Sequence, residues 1–507
     1  MTATSGARRA PSSTRFVFSF VAACAAAKLV LALVTGFDDD EAYTLVIARR
    51  LALSYFDHPP LHQWLLHGFV SLFGEGHWDR LPFWALQVAT NAPLYGLSKR
   101  LFGREAALWA VFAFNASAYF LVSPDGSIMP DTPLLLALAC AIWAIAEALY
   151  GDDAERRQTG LWLAAGVSFG LAGLAKYSAA LAPLGLAGFF LFSPQHRRWL
   201  RNWRPYAAAA LALAIFSPAL IWNAQNGWVS LAFQSGRAVA HAAFDAAASR
   251  AILEAAGGQI VSLSPWVAVP MAAGLYRGFA RGDRNSAEKL LLWLALPPLA
   301  LFTLLPLEGQ RAIPHWFNSG WLFAYPLCGV WLAERGLRRT AWAKVTAALS
   351  AATVAAYLAA VHFGLGPLLP AGAKDPTNYT YDWPTVAETS AWRSAGAPAF
   401  VLVDNWRVGG RIGDALGPTI PICGFGSDPR GLAFTCASSE MLGKDALIVA
   451  PQSGAARTFA EATPYFASVD APEIFNVGRG ERTERVLEVA HARNLLKPYP
   501  LPYGPGL

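Results

Sequence analysis

Long stretches without charged residues alternate along the chain with short polar segments. A helix needs about 20 apolar residues to span the hydrocarbon core of a bilayer, and these stretches approach or exceed that length. The pattern therefore predicts a membrane protein with many spans. The uncharged stretches are 106–124, 132–146, 158–175, 205–236, 255–276, 290–307, 312–333 and 345–373.

Helix length and the positions of charged residues divide this apolar part into about eleven spans. The basic residues Arg8, Arg9 and Arg15 precede the first span, but no small-residue cleavage motif comes before the acidic cluster that follows it. We therefore interpret the first span as retained rather than as a signal peptide. The predicted helices are 16–36, 81–98, 105–122, 132–149, 160–176, 178–193, 205–222, 257–276, 289–306, 316–333 and 343–363.

The loops between the predicted spans alternate between basic and nearly free of Lys and Arg. The positive-inside rule places the basic loops in the cytoplasm together with the N-terminus. An odd number of spans then places the C-terminal tail on the outer side. The basic loops contain Lys99, Arg100 and Arg104; Arg156 and Arg157; Arg197, Arg198, Arg201 and Arg204; Arg277, Arg281, Arg284 and Lys289; and Arg335, Arg338, Arg339 and Lys344.

The composition changes after the last predicted span. Apolar runs become as short as strands, for example AFVLVD and DALIVA, and are bounded by Gly, Pro or Asp. We therefore predict two domains, a membrane domain over residues 1–366 and a soluble α/β domain over residues 367–507. The predicted fold class is mainly α, a polytopic helical bundle with this α/β domain outside the membrane.

The composition agrees with a membrane protein and argues against a nucleic-acid-binding protein. Of the 507 residues, 55% are hydrophobic and 15% are charged, with a mean hydropathy of +0.34; soluble domains have about 25% charged residues. The net charge of +6 comes from basic residues between spans, where orientation requires them.

Two of the five cysteines lie in the predicted outer domain. Cys423 and Cys436 would form a disulfide in an oxidising compartment, and the alternative is two unpaired thiols. The sequence leaves both open, and we favour the disulfide. Cys24, Cys140 and Cys328 lie within predicted spans and are interpreted as apolar packing residues.

Polar residues on the predicted outer side include many of the types that catalyse reactions or bind charged groups. Residues 36–60, GFDDDEAYTLVIARRLALSYFDHPP, contain four consecutive acids and an Asp-His pair. Ionisable groups at membrane depth are costly and tend to face a protein cavity rather than lipid. The outer candidates are Asp40, Glu41, Asp57, His58, Asp125, Asp131, Lys176, Tyr177, Arg237, His241, Arg311 and His315.

A cavity with carboxylates and cations at the outer membrane boundary suits a substrate with an apolar tail, an anionic linkage and a polar head. A polyprenyl-phosphate sugar has this layout. We predict that Asp40 accepts the proton of the acceptor hydroxyl and that Lys176 stabilises the leaving phosphate. Asp57 and His58 would hold a divalent metal ion or contact the phosphate directly.

Several of these acids also have structural interpretations. Asp38 and Asp39 are expected to be solvated, because four consecutive acids cannot all be catalytic. Arg49 and Arg50 would then pair with these acids from a helix in the 41–55 segment.

The other candidates have structural alternatives as well. Asp131 precedes an apolar run and suits a helix N-cap. Lys176 has no obvious partner in the sequence and would otherwise extend to the interface. His315 and Trp316 would serve as an interfacial anchor. The placement of all these residues on one side favours a functional site.

The quoted residues resemble the dolichyl-phosphate-mannose-protein mannosyltransferase-like family of bacterial membrane glycosyltransferases. This family has the GT-C fold and includes aminoarabinose and galacturonic acid transferases acting on lipid A and core oligosaccharide. The resemblance covers about residues 15–335. It rests on DDEAYTLVIARRL, YFDHPPLHQWLL, MPDTPLLLALACAIWA, GLAGLAKYSAALAPL, SPALIWNAQNGWVSLAFQSGR and RAIPHWFNSGWLFAYP.

The resemblance implies an inverting transferase in the inner membrane that uses an undecaprenyl-type phosphate-sugar donor on the periplasmic side. The sequence does not identify the sugar, and it leaves the acceptor open between a lipid or glycan, namely lipid A, lipopolysaccharide core or O-chain sugars or another glycolipid, and a protein. Asp40 would be the catalytic acid/base, with Glu41 beside it and Asp131 as the second acidic position. We expect a monomer surrounded by membrane lipids, with a cytoplasmic N-terminus and a periplasmic C-terminal domain.

The donor phosphate and a metal ion would lie near the Asp57-His58 pair. Some relatives have a His in the outer loop after the seventh span where this chain has Gln234 and later His241. This departure weakens the case for a His-ligated metal. The predicted phosphate contacts are His58, Lys176, Tyr177, Arg237 and His315, and the candidate metal ligand is Asp57.

A transporter or flippase of an amphipathic lipid is the main alternative function, and a scaffold that binds a partner through its outer domain is another. Transporters often contain paired internal repeats with ions near mid-depth. This chain shows no repeat between its halves, and its charged groups gather at one face. We therefore favour a transferase.

Overall fold

The computed structural model describes residues 13–122, 128–152, 154–236, 246–281, 285–305, 312–370, 375, 377, 383, 386–396, 398–479 and 482–503. These residues form a helical membrane bundle followed by a domain built around one β-sheet. The predicted fold class is confirmed.

The helices of the bundle occupy most of the chain up to residue 363, and three more lie in the sheet domain. In chain order they are α1 Ser13–Val34, α2 Asp39–Ala48, α3 Leu61–Phe73, α4 Leu81–Ala116, α5 Ala118–Leu121, α6 Asp131–Tyr150, α7 Ala154–Ala175, α8 Leu181–Phe192, α9 Trp203–Gln225, α10 Val229–Gly236, α11 Ala246–Leu263, α12 Pro265–Arg281, α13 Ser286–Leu304, α14 Asn318–Ala333, α15 Leu337–Phe363, α16 Ser390–Ala395, α17 Trp406–Leu416 and α18 Ala455–Ala462.

Six of the described helices are each long and apolar enough to cross a membrane, namely α1, α6, α7, α9, α13 and α15. The pair α11 and α12 would add a seventh. The chain is therefore a multi-pass membrane protein, whereas the count of eleven spans stays a prediction. The predicted spans 81–98 and 105–122 lie largely in α4, on either side of a break at Gly103, where φ is 84°.

The prediction of one helix over 257–276 is wrong, because two helices, α11 and α12, share this segment. The segment bends by 108° where α11 meets α12. Ser264 adopts a φ of 67° at this point, and Pro265 follows with no backbone N–H to continue the α11 hydrogen bonds.

The basic loops of the membrane domain lie at one end of the bundle. Arg339 pairs with Glu105 at 2.9 Å and Arg100 with Glu147 at 3.1 Å. The Lys289 Nζ donates to the carbonyl oxygen of Phe192 at 2.8 Å. These contacts join loops that are far apart in sequence, as expected if all of them face the same side of a membrane.

The C-terminal sheet mixes parallel and antiparallel strands in the order β2-β1-β3-β6-β4, with β5 also paired to β6. Strands β1, β2 and β3 are parallel, and β6 runs antiparallel to β3, β4 and β5. The predicted strand segments AFVLVD and DALIVA become β1 and β3. The strands are β1 Phe400–Asn405, β2 Ile422–Asp428, β3 Ala446–Pro451, β4 Phe466–Val469, β5 Glu473–Arg479 and β6 Arg482–Leu495.

Helix α2 belongs to the core of the sheet domain as much as to the bundle. Tyr43, Val46 and Ile47 share one hydrophobic cluster with strand residues of β1, β2 and β3. At Gly410 in α17, a Cβ atom would lie 2.6 Å from the backbone of Tyr43. Only glycine therefore lets α17 of the sheet domain approach α2 this closely.

The disulfide between Cys423 and Cys436 is present, as favoured from the sequence. It joins the start of β2 to the residues after a short 3-10 helix, Arg430–Phe434. The other three cysteines lie in α1, α6 and α14 without a disulfide partner. The predicted domain boundary at 366/367 stays a prediction; α15, the last helix of the bundle, ends three residues before it.

Replacing both Cys423 and Cys436 by serine is expected to destabilise the sheet domain by about 2–4 kcal/mol, because the cross-link restricts the unfolded chain. Thermal unfolding of the full-length protein in detergent would measure the loss. Cys140→Ala, which removes an unbonded thiol, is the control and should leave the unfolding temperature within about a degree or two of the parent. An unchanged unfolding temperature in the double variant would contradict the prediction.

Candidate active site

Four consecutive acids, residues 38–41, start helix α2 and face different surroundings. Successive residues of an α-helix are rotated by about 100°, so neighbouring carboxylates point in different directions. The Asp38 carboxylate accepts from the backbone N–H of Glu41 at 2.8 Å, and the Glu41 carboxylate accepts from the backbone N–H of Asp38 at 3.1 Å. This reciprocal capping box fixes where α2 begins.

Glu41 and Arg80 form an ion pair that is almost completely buried, with exposures of 0% and 1%. The Arg80 Nε and Nη2 donate to the two carboxylate oxygens at 2.8 and 2.5 Å. Its other donors bind the carbonyl oxygens of Ala32, Thr35 and Gly36 at 2.7–2.8 Å. Arg80 therefore satisfies carbonyls at the end of α1 and holds α2 against that end.

These contacts favour a structural role for Glu41. Arg80 engages both of its carboxylate oxygens, and the backbone N–H of Ile128 donates to one of them at 3.2 Å. Glu41 is also not among the residues that line the cavity described below. We therefore do not assign it the catalytic role predicted from the sequence.

The prediction that Asp38 and Asp39 are solvated is wrong, since their exposures are 4% and 5%. Asp39 accepts hydrogen bonds from two arginines of the sheet domain, Arg411 at 3.1 Å and Arg485 at 2.5 Å. The sequence did not reveal these partners because they lie in the other domain.

The predicted pairing of Arg49 and Arg50 with these acids is also wrong. Arg49 forms an ion pair with Glu75 at 2.8 Å, and Arg50 donates to the carbonyl oxygen of Thr435 at 3.0 Å. Both arginines lie at or just beyond the C-terminal end of α2, too far along the helix to reach the acids of its first turn.

Asp40 faces a cavity of about 290 Å³ between the membrane domain and the sheet domain. The cavity walls come from α2, α3, α10 and α13 and from the segments around residues 57, 130, 177 and 315, with one residue of the sheet domain. Its charged, histidine and tyrosine side chains are Asp40, Tyr43, Asp57, His58, His62, Lys176, Tyr177, His315 and Arg430. Carboxylates and cations therefore share one cavity, as the sequence pattern suggested.

Asp57 lies in a buried network at the border with the sheet domain. The Tyr43 hydroxyl donates to its Oδ2, and the Arg430 Nη1 lies 3.6 Å from its Oδ1. The Gln234 side chain donates to the Asp57 backbone carbonyl at 2.5 Å. Burial, together with the neighbouring Asp57 carboxylate, raises the pKa of Tyr43 well above its ordinary value, so Tyr43 is a donor at neutral pH.

Lys176 and Asp131 form a buried ion pair at 2.8 Å, with exposures of 7% and 2%. The expectation that Lys176 has no partner is therefore wrong. Asp131 is the first residue of α6 and lies behind the lysine, outside the cavity lining. The pair holds the ammonium group at the cavity wall and provides its countercharge from the protein side.

Two neighbours of Lys176 complete this side of the cavity. The Tyr177 hydroxyl lies 2.8 Å from the Ser230 hydroxyl and accepts from the Asn223 amide at 3.1 Å. Burial and the nearby charge of Lys176 lower the pKa of His62 to about 3. His62 is therefore neutral and adds no charge to the cavity at physiological pH.

The structure leaves some candidates outside its described residues and adds others. Asp125, Arg237, His241 and Arg311 lie outside the described residues. Sequence reasoning did not identify Tyr43, His62, Gln63 or Arg430 as lining residues. The first three follow the acidic cluster or the Asp-His-Pro-Pro segment, so helical spacing would have found them; Arg430 has only its position between two cysteines as a signal.

The residues around Asp57 do not fit a divalent metal ion. Within the described part of the chain, no group of three His, Cys, Asp or Glu side chains is placed to hold one. The Asp57 carboxylate is engaged by Tyr43 and faces the guanidinium of Arg430, a cation that would repel the metal. We derive no catalytic step through a metal ion.

A second cavity of about 540 Å³ lies between α7, α8 and α9 and is lined almost entirely by apolar residues. It extends from Tyr177, which also lines the first cavity, to Trp199 and Leu200 near the basic end of the bundle. A long apolar chain would fit along this groove. Its aromatic lining residues are Trp162, Phe169, Tyr177, Phe190, Trp199, Tyr206 and Phe216.

Comparisons with known proteins confirm the resemblance drawn from the sequence. Residues 57–222 match the family model described as dolichyl-phosphate-mannose-protein mannosyltransferase. The lipid A galacturonosyltransferase RgtD of Rhizobium johnstonii is 28% identical over 60% of this chain and 63% of its own length. The lipopolysaccharide core galacturonosyltransferase RgtA of the same organism is 27% identical over 57% and 58%. The chain thus spans less than two thirds of either relative.

The fold is also that of solved membrane glycosyltransferases. ArnT from Cupriavidus metallidurans bound to undecaprenyl phosphate matches with a TM-score of 0.64 over 94% of this chain and 98% of ArnT, at 16% identity. The oligosaccharyltransferase AglB from Archaeoglobus fulgidus, in complex with an inhibitory peptide and a dolichol-phosphate, matches with 0.52 over 97% and 77%, at 13% identity. These matches confirm the GT-C type of the predicted fold.

Replacing Arg80 by alanine is expected to destabilise the protein by about 3–5 kcal/mol, because it leaves the Glu41 carboxylate buried without its countercharge. Thermal or denaturant unfolding in detergent would measure this loss. Arg100→Ala, at the basic end of the bundle, removes a more exposed ion pair and is the matched control, with an expected cost of about 1 kcal/mol or less. Equal losses for the two variants would show that the buried pair does not organise the start of α2.

Proposed function

We propose that this chain transfers a sugar from a polyprenyl-phosphate donor to a hydroxyl group of an envelope glycolipid. The observation that carries the proposal is the cavity that Asp40 and Lys176 both line, which shares the lining residue Tyr177 with an apolar groove. The similarity to galacturonosyltransferases and the undecaprenyl phosphate bound to ArnT support the same class of reaction.

The donor would lie with its polyprenyl chain in the groove between α7, α8 and α9. Its phosphate would then meet Lys176 and Tyr177, where the groove joins the polar cavity. His58 and His315 line the same cavity and add hydrogen-bonding groups for the phosphate. The sugar would extend from there toward Asp40 and the sheet domain.

The reaction is a displacement at the anomeric carbon. The acceptor hydroxyl loses its proton to the Asp40 carboxylate as its oxygen bonds to that carbon. The bond between the carbon and the phosphate oxygen breaks, and its electron pair leaves with the polyprenyl phosphate. The ammonium group of Lys176 stabilises the charge that develops on the leaving group. Attack from the face opposite the phosphate inverts the anomeric configuration.

The proposed orientation follows from the charge of the loops. The basic end of the bundle would face the cytoplasm together with the N-terminus. The cavity and the sheet domain would then lie in the periplasm, where a disulfide persists. The acceptor would be lipid A, lipopolysaccharide core or another glycolipid, and the chain would act as a monomer in the inner membrane.

Asp40→Asn is expected to lower turnover by about 10²–10⁴-fold, because an amide cannot accept the proton. Mass spectrometry of envelope glycolipids from cells with the wild-type gene, the variant or no gene would identify both the sugar and the acceptor. The variant should match the cells without the gene.

Asp152→Asn is the matched control, because its carboxylate is exposed, pairs with Arg100 at the basic end of the bundle and does not line the cavity. The control should leave the glycolipids modified, provided that its amount in the membrane equals that of the parent. Glycolipids that are identical with and without the wild-type gene would contradict the proposed function.

Replacing Lys176 by glutamine together with Asp131→Asn is expected to weaken binding of undecaprenyl phosphate by about tenfold or more, since a charge-assisted contact is lost. The double replacement avoids leaving the Asp131 carboxylate buried without its partner. Binding would be measured on the purified protein with undecaprenyl phosphate itself, beside Asp40→Asn as a control with intact binding. Unchanged affinity in the double variant would place the phosphate elsewhere.

A further inference from the structure

Arg430 is the residue through which the sheet domain enters the cavity. Among the described lining residues, it alone comes from the C-terminal domain. Its side chain is 15% exposed, and its guanidinium carbon lies 4.1 Å from the ring centre of Trp406. A cation supplied by a separate domain therefore forms part of a cavity otherwise built by the membrane domain.

The backbone around Arg430 is held by contacts from both domains. Its own N–H donates to the Tyr503 hydroxyl at 2.8 Å, and the N–H of Gly431 donates to the Tyr43 hydroxyl at 2.7 Å. Arg430 has a φ of 46°, a left-handed conformation that costs energy for a residue with a Cβ. Such a conformation persists only where the surroundings hold it, as these two hydrogen bonds do.

The disulfide closes the segment that carries Arg430. Cys423 and Cys436 flank it, and both are buried. Phe434, within the same segment, stacks on Tyr503 and contacts Phe56 of the membrane domain. The cross-link and the aromatic contacts leave the arginine few alternative positions.

The guanidinium group has hydrogen-bonding capacity left over. Its Nε is buried and donates no hydrogen bond to any of the described residues. The nearest carboxylate oxygens, on Asp57 and Asp428, lie 3.6 and 3.4 Å away, longer than the roughly 2.7–2.9 Å of a charge-assisted hydrogen bond. Arginine presents a planar fork of donors that matches carboxylate or phosphate oxygens, so an anionic ligand in the cavity would satisfy it.

We propose that Arg430 contacts an anionic group of the glycosyl donor, and that the sheet domain is therefore part of the substrate-binding site. The inference rests on the proposed function. The ligand chemistry is a pair of anionic oxygens, belonging either to the carboxylate of an acidic sugar or to the donor phosphate. Arg430 lies in the part of the cavity that borders the sheet domain and Lys176 lies beside the apolar groove, so the two cations would bind different parts of one donor.

Equilibrium binding to the purified full-length protein tests the proposal with three probes. These are undecaprenyl phosphate, undecaprenyl phosphate carrying a hexuronic acid, and undecaprenyl phosphate carrying a neutral hexose. Arg430→Gln is expected to weaken at least one of them by about tenfold or more. Arg493→Gln, which removes an arginine paired with Asp470 elsewhere in the same domain, is the matched control and should leave all three affinities unchanged.

The pattern across the probes distinguishes the two sources of anionic oxygens. Weaker binding of the hexuronic acid probe alone assigns Arg430 to the sugar carboxylate, and equal weakening of all three assigns it to the phosphate. Unchanged binding of every probe by a folded Arg430→Gln variant overturns the proposal.

A conservative variant covers the case in which Arg430→Gln does not fold. Arg430→Lys keeps the positive charge next to Asp57 but loses the planar fork, so it should still weaken the affected probe several-fold. Unchanged affinities in this variant would then overturn the proposal. A wild-type protein that binds none of the three probes would instead contradict the proposed function, which keeps the two failures distinguishable.

Discussion

The buried ion pair between Glu41 and Arg80 holds the first turn of helix α2 against the end of α1. Burying two charges gives little net stability by itself, but here the same guanidinium also satisfies three backbone carbonyls at the end of α1. The pair therefore gives the turn a defined position. Asp39 and Glu41 are held by arginines of the sheet domain and by Arg80, respectively. Asp40, between them, faces the cavity.

The cavity is lined by segments that lie far apart along the chain. Lys176, which is paired with Asp131 behind it, forms part of the cavity wall within the membrane domain, while Arg430 enters from a domain built around a β-sheet. The two cations each lie near a carboxylate, so the protein itself balances their charge before any ligand arrives. An anionic ligand would enter between paired charges rather than into a strongly positive site.

Much of the architecture could be predicted from charge-free intervals, because a membrane permits few ways to bury backbone polar groups. That Asp40, His58 and Lys176 share one cavity could also be predicted, because the loops that carry them alternate with the basic loops. The individual roles of the four acids could not be predicted from the sequence. Asp38 caps its own helix, whereas Asp39 binds two arginines of the sheet domain, and the sequence does not show in which direction each side chain points. Arg430 was missed because only tertiary contacts bring it to Asp57.

Asp39 and Asp40 are joined by one peptide bond but belong to different parts of the molecule. Asp39 is bound by two arginines of the sheet domain, and Asp40 faces the cavity. A change in the position of the sheet domain would therefore displace the first turn of α2. The Asp40 carboxylate would move with that turn. Exchange of the outer domain between related chains would require this contact to be rebuilt together with the catalytic geometry.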